Sequence, residues 1–171
     1  MIRTVLLLLL TLLSHSVLAQ ATQRMPDACQ LITSGDINRL LGTIVVPKES
    51  LAPGKQCPFH SNDRAVEVSL EYRSFTDIAQ AQTLLTYTAD SLRLLVANAK
   101  PVPFTEIVDF ALGGSGANYI VGTDALRGPT VQLQFVIDKH LVSFTTVGVP
   151  VETVKANLQE VYRIVKQNSA L

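Results

Sequence analysis

The 171-residue chain has no tryptophan, only two cysteines and only three histidines. Beyond the first segment, the soft-metal ligands are Cys29, Cys57, His60 and His140, and their spacing matches no zinc finger. No metal and no cofactor is expected. Lysine plus arginine number 14, as do aspartate plus glutamate, so the formal net charge is zero. That balance leaves no basic stripe for nucleic acid and no polybasic patch for an anionic membrane surface. After the first residues, no apolar run approaches the roughly 20 residues that a membrane-spanning helix needs. Stable membrane insertion of the processed chain is therefore not expected.

What is present begins with MIRTVLLLLLTLLSHSVLAQA. Arg3 supplies a positive start, Val5 to Leu13 an apolar stretch, and Val17-Leu18-Ala19 a small-residue end. Ser14, His15 and Ser16 interrupt the apolar run too early for an anchor. Residues 1–19 read as a secretory signal, with cleavage after Ala19 or as late as Ala21. No cysteine follows the cleavage site, so a lipoprotein is not indicated. Residues 22–171 have the size of one ordinary domain, expected to be periplasmic or secreted. In an oxidising compartment Cys29 and Cys57 are most simply a disulfide. It would close a loop of about 28 residues, worth roughly 3 to 4 kcal/mol in the chain-entropy model.

Periodicity outlines the domain. Thr33 or Ser34 can cap a first helix with Asp36 in its first turn, Ile37, Leu40 and Leu41 inward, and Gly42 as a stop. A short strand over Thr43 to Val46 and a loop PKESLAPGKQ follow. Strand structure resumes near Cys57. Val66, Val68, Leu70 and Tyr72 alternate with Glu67, Ser69, Glu71 and Arg73, which predicts a strand with one buried face. A long helix opens at Thr76-Asp77 and runs to about Ala99, with Ile78, Ala81, Leu85, Leu92, Leu95 and Ala99 as its stripe. Pro101 and Pro103 stop it. Residues 100–117 read as a long irregular connector. Three strands follow: Asn118 to Thr123, Thr130 to Asp138, and His140 to Val147, the last two joined by a tight Asp138-Lys139 turn. In the second, Val131, Leu133, Phe135 and Ile137 face one way and Gln132 and Gln134 the other. Pro150 opens a last helix, with Val151, Val154, Leu158, Val161 and Val165 inward and Lys155, Gln159, Arg163 and Lys166 in solvent. The expected class is α+β, an antiparallel sheet of about five to six strands packed by three helices. Two strand groups, each followed by a long helix, hint at a pseudo-repeat.

A cysteine before a helix ending Leu-Gly, a second cysteine in KQCPF, and a connector VDFALGG together resemble exported bacterial domains of the DUF3558 type. Cys29, Leu41, Gly42, Cys57, Phe59, Asp109 and Ala111 match that pattern. Val108 stands where a glycine is usual, and the lipobox is missing. The resemblance covers most of the processed chain. It implies an α+β fold of the Mog1/PsbP kind and carries over no catalytic residue.

The chemistry-bearing candidates are few. GGSGA places Ser115 in a near match to the nucleophile elbow, but an elbow needs a strand before the serine and a helix after it. The same glycines lack the lysine and the following helix of a phosphate loop. Glu67 and Glu71 share a strand face with Ser69, as paired carboxylates or as the wet or covered side of a sheet. His60 and His140 could act as bases near neutral pH. Phe104, Ile107, Val108 and Phe110 put apolar bulk into the connector. With Ser115, Phe104, Ile107 and Phe110 make a candidate recognition loop, the alternative being that the rings fold back into a satellite core. The function expected is a non-enzymatic exported domain that binds an envelope protein or a small ligand. The alternatives are an inhibitor or immunity protein against a secreted enzyme, and a small hydrolase using Ser115 or a carboxylate with His60 or His140.

Overall fold

A computed structural model of the protein describes residues 24–98 and 104–170. The segment read as an export signal lies outside the described residues. In chain order the elements are α1 (Ala28–Leu31), α2 (Ser34–Leu41), β1 (Val46–Pro47), β2 (Gln56–His60), β3 (Glu67–Ser74), α3 (Ile78–Asn98), β4 (Phe104–Leu112), β5 (Ser115–Asp124), β6 (Gly128–Ile137), β7 (His140–Val147), α4 (Val151–Ala156) and α5 (Leu158–Ser169). The strands form one seven-stranded sheet in the order β1-β2-β3-β7-β6-β5-β4. Every neighbouring pair is antiparallel. The fold is α+β as the pattern predicts, with more elements than expected among the described residues.

One side of the sheet carries the main core. Leu70, Leu133, Phe135, Val142 and Phe144 stand on it, fully buried, under α1, α2, α4 and α5. The Tyr162 ring of α5 meets Phe135 edge-on at 5.3 Å between centroids. α2 begins with a reciprocal capping box between Thr33 and Asp36 and ends at Gly42 with φ 65°, the left-handed stop that glycine favours. The single last helix expected from the valine stripe is two helices. The side-chain amide of Asn157 donates to the carbonyls of Leu40 and Thr153, both at 2.9 Å. A tertiary bond thus fixes the junction between α4 and α5. Lys155, expected in solvent, pairs with Glu106 at 2.7 Å.

The other side is covered only in part, by α3. Ala81 and Leu85 pack there against Val136 and Leu141. Of the expected stripe Ala81 and Leu85 face inward, joined by Ala89, whereas Ile78 is 47% and Leu95 50% exposed and Ala99 lies outside the described residues. Small residues mark the contact line because the helix lies close to the sheet. A Cβ added at Gly116 of β5 would stand 3.8 Å from Leu85.

The irregular connector expected over 100–117 is also corrected from residue 104 onward, residues 100–103 lying outside the described residues. Residues 104–112 are the nine-residue strand β4, and Gly113 and Gly114 form a two-residue turn into β5, with Leu112 opposite Ser115. Both glycines have positive φ, 56° and 84°, as a type I′ hairpin turn requires. β4 escapes a period-2 reading because apolar Ile107 and Val108 are consecutive, one on each face of an edge strand.

Candidate functional site

The register places an unusual row across the side of the sheet under α3. Glu71 of β3 stands opposite Ser143 of β7, Ser143 opposite Gln134 of β6, and Gln134 opposite Asn118 of β5. Asn118 in turn faces Asp109 of β4. Five strands therefore contribute a polar residue at one level of one sheet face. Ser143, Gln134 and Asn118 are buried. Gln132 and Gln134, read as the outward side of a strand, lie in or beside a space beneath a helix.

The row is only partly satisfied. Asn118 Nδ2 donates to the Leu85 carbonyl at 3.3 Å, and Gln134 Nε2 donates to Ser143 Oγ at 3.4 Å. Among the described residues, Asn118 Oδ1 and Gln134 Oε1 accept no hydrogen bond. A buried acceptor without a partner costs about 1 to 3 kcal/mol. Apolar groups of the same shape in such places can be near neutral or stabilising, so each buried acceptor without a partner calls for an explanation.

A cleft of about 320 Å³ opens beside this row. Its floor is Glu71, Gln132, Gln134 and Ser143, and its apolar wall is Leu84 and Leu92 of α3 with Phe104 at the start of β4. A second cleft of about 390 Å³ continues over the same sheet face, lined by Gln56, Pro58, Glu67, Ser69, Thr145 and Val147. Glu67 there pairs with Arg127 and, more loosely, with Lys48 at 3.9 Å. Asp124 pairs with the same arginine, its carboxyl lowered to about 2 by the hydrogen bond from Arg127 and by the Leu126 and Arg127 backbone N–H groups. Glu67, Ser69 and Glu71, singled out in the sequence as one strand face, thus line two adjoining clefts.

The other sequence candidates are dispersed. Phe104 reaches the first cleft, while Ile107 and Phe110 point to opposite faces of β4, as their partners Ile120 and Ala117 show. The Phe110 ring tilts onto Tyr119 at 5.8 Å. Tyr119 donates to Glu106 at 2.7 Å, and the Glu106 carboxyl is lowered by its bond to Lys155 and then by that hydroxyl. Ser115 opens β5 directly after the glycine turn, so the strand-then-helix geometry of an elbow is not formed. His60, on β2, has β3, β7 and β6 between it and β5, and its Nδ1 lies 2.8 Å from the Ser61 carbonyl. His140 Nδ1 is 2.9 Å from Ser74 Oγ, a pairing across β3 and β7 that no sequence spacing announces. That pair borders a third space of about 380 Å³ with Arg24, Lys55 and Lys139. Cys29 and Cys57 are bonded to one another, joining α1 to β2. Among the described residues no group of three or more His, Cys, Asp or Glu side chains is placed to hold a metal ion, and no helix is long and apolar enough to cross a membrane.

No family model and no curated protein sequence matches the chain. Solved structures do. The extracellular domain of PknH from Mycobacterium tuberculosis is similar, with a TM-score of 0.58 at 11% identity, over 88% of this chain and 96% of that one. The solution structure of cyanobacterial PsbP (CyanoP) from Synechocystis sp. PCC 6803 matches at a TM-score of 0.42 and 14% identity, over 70% of this chain and 78% of that one. The first likeness shows the fold.

Proposed function

We propose that the protein is an exported, non-catalytic binding domain of the DUF3558-like kind, taking a small amphipathic ligand into the cleft between α3 and the sheet. The observation that carries this reading is the unpartnered Gln134 Oε1 in the polar row flooring that cleft. A ligand hydroxyl or N–H would complete its hydrogen bonding, and an apolar body would lie along Leu84, Leu92 and Phe104. Sites of this kind combine mostly apolar walls with a few placed polar groups. Export is supported by the signal-like first residues, by the Cys29–Cys57 bridge and by likeness to a domain described as extracellular. Phe104 is the one member of the sequence-derived recognition set that lines this cleft.

Native mass spectrometry of the protein isolated from the exported fraction of its own cells tests the proposal. A reproducible non-covalent small-molecule adduct, displaced on unfolding, is the expected result. A bare polypeptide mass, with no stabilisation by envelope extracts in a thermal melt, would overturn it.

A further inference from the structure

The two edges of the sheet are unlike. β1 is two residues long and ends in Pro47, which has no N–H to offer a neighbour. β4 runs for nine residues without a proline. In an antiparallel pair every second residue turns its N–H and C=O away from the partner strand. Among the described residues, no backbone hydrogen bond from 104–112 reaches anything beyond β5. Long, open edges are what native sheets usually shorten, cover or charge.

The charges β4 does carry are neutralised within the chain. Glu106 is held by Lys155 at 2.7 Å and Asp109 by Arg93 at 2.6 Å. The Arg93 bond also sets the end of α3 beside β4, where Leu94 is 64% and Leu95 50% exposed. Half-buried Ile107 continues that apolar surface onto the strand, while half-buried Val108 and Phe110 lie on its other face beside Tyr119 and Ala117.

We infer that β4 pairs with β4 of a second copy of this chain, antiparallel about a two-fold axis through Val108. Val108 is the midpoint of Phe104–Leu112. This register sets Glu106 against Phe110 and Ile107 against Asp109, and Val108 against itself. Registers centred on Glu106 or Asp109 would oppose like carboxylates, which is unfavourable. The shift between Phe104 and Glu106 leaves the central residues regular. The self-compatible register points to a second copy as the occupant, and the edge asymmetry sets how the copies meet. With β1 blunted, open-ended stacking of one copy's β1 on another's β4 is blocked, so pairing closes as an isologous dimer. The exposed leucines of α3 then flank the new seam.

Sedimentation of the purified protein across the micromolar range tests this, with Val108→Lys as the disrupting variant. The wild type should sediment as a dimer and Val108→Lys as a monomer with an unchanged melt. Val108→Cys should give a disulfide-linked dimer on mild oxidation, whereas Leu126→Cys, on a residue 95% exposed elsewhere, should not. This second variant keeps the test open if the lysine variant unfolds. A wild-type monomer throughout the range, or equal crosslinking of both cysteine variants, overturns the inference. So does a monomer whose β4 takes up an unrelated extended peptide instead.

Discussion

Leu133 and Gln134 are consecutive residues of β6 and face opposite layers. Leu133 is fully buried in the main core. Leu133→Ala should cost about 2 to 5 kcal/mol, read as a lower denaturation midpoint at unchanged slope. A loss within about 0.5 kcal/mol, the range of surface substitutions, would mean that this core does not carry the fold. Gln134 belongs to the row whose satisfaction is incomplete, and its interest is functional. Alternation along β6 shows that these residues part company. It does not show that a helix arrives over the glutamines, because that depends on where the chain goes after β3. Gly148 is another case that sequence leaves silent. Its φ is 79°, and a Cβ there would stand 2.1 Å from the Ala65 carbonyl oxygen, a close approach set by two loops distant in sequence.

At the scale of elements, those with strong local signals were legible. α2 carries its own start and stop, and its capping box makes a direct test. Thr33→Ala removes the hydroxyl that accepts from Asp36 N at 3.2 Å and should lower stability by about 1 kcal/mol. Thr33→Ser should restore most of it, and urea midpoints of the two variants distinguish a cap from a merely tolerated threonine. β3, β6 and β7 were likewise readable, since each alternates over a core. β4 was not, because an edge strand with both faces half-buried leaves no alternation to read. α3 was found but its inward face was only partly placed. Ala81 and Leu85 of the expected stripe do face the sheet, but Ala89 rather than Ile78 or Leu95 completes the contact line.

Across the whole molecule, most ion pairs lie on the surface and shape the response to acid more than the fold itself. Glu160 is lowered to about 2 by its hydrogen bonds with Arg163 and, less strongly, Arg39, and Asp124 to about 2 by Arg127. A carboxylate depressed on folding contributes above its unfolded value and loses that contribution as pH falls through the folded one. For Glu160 this window runs from its ordinary 4.5 down to about 2. Melts of Glu160→Gln and wild type should therefore differ at neutral pH and converge as pH falls to about 2. A gap independent of pH would assign the difference to packing. The α+β class was legible in the order of helical and strand periods, and the cysteine pairing because the chain holds only two cysteines. The cleft was not, since it arises beside a row where β3, β4, β5, β6 and β7 align five polar side chains that lie far apart in sequence.

The most direct measurement of the binding proposal is a paired one on Gln134→Leu, recording the melt of ligand-free protein and the adduct in native mass spectrometry. The substitution removes a buried unpartnered acceptor while nearly conserving volume. If the amide is retained for a ligand, the variant should melt at or above wild type, gaining up to about 1 to 3 kcal/mol, and should lose the adduct. Stabilising a site at the expense of binding is the usual signature of a functional residue. A variant that melts well below wild type, or that keeps the adduct at full occupancy, would contradict the account.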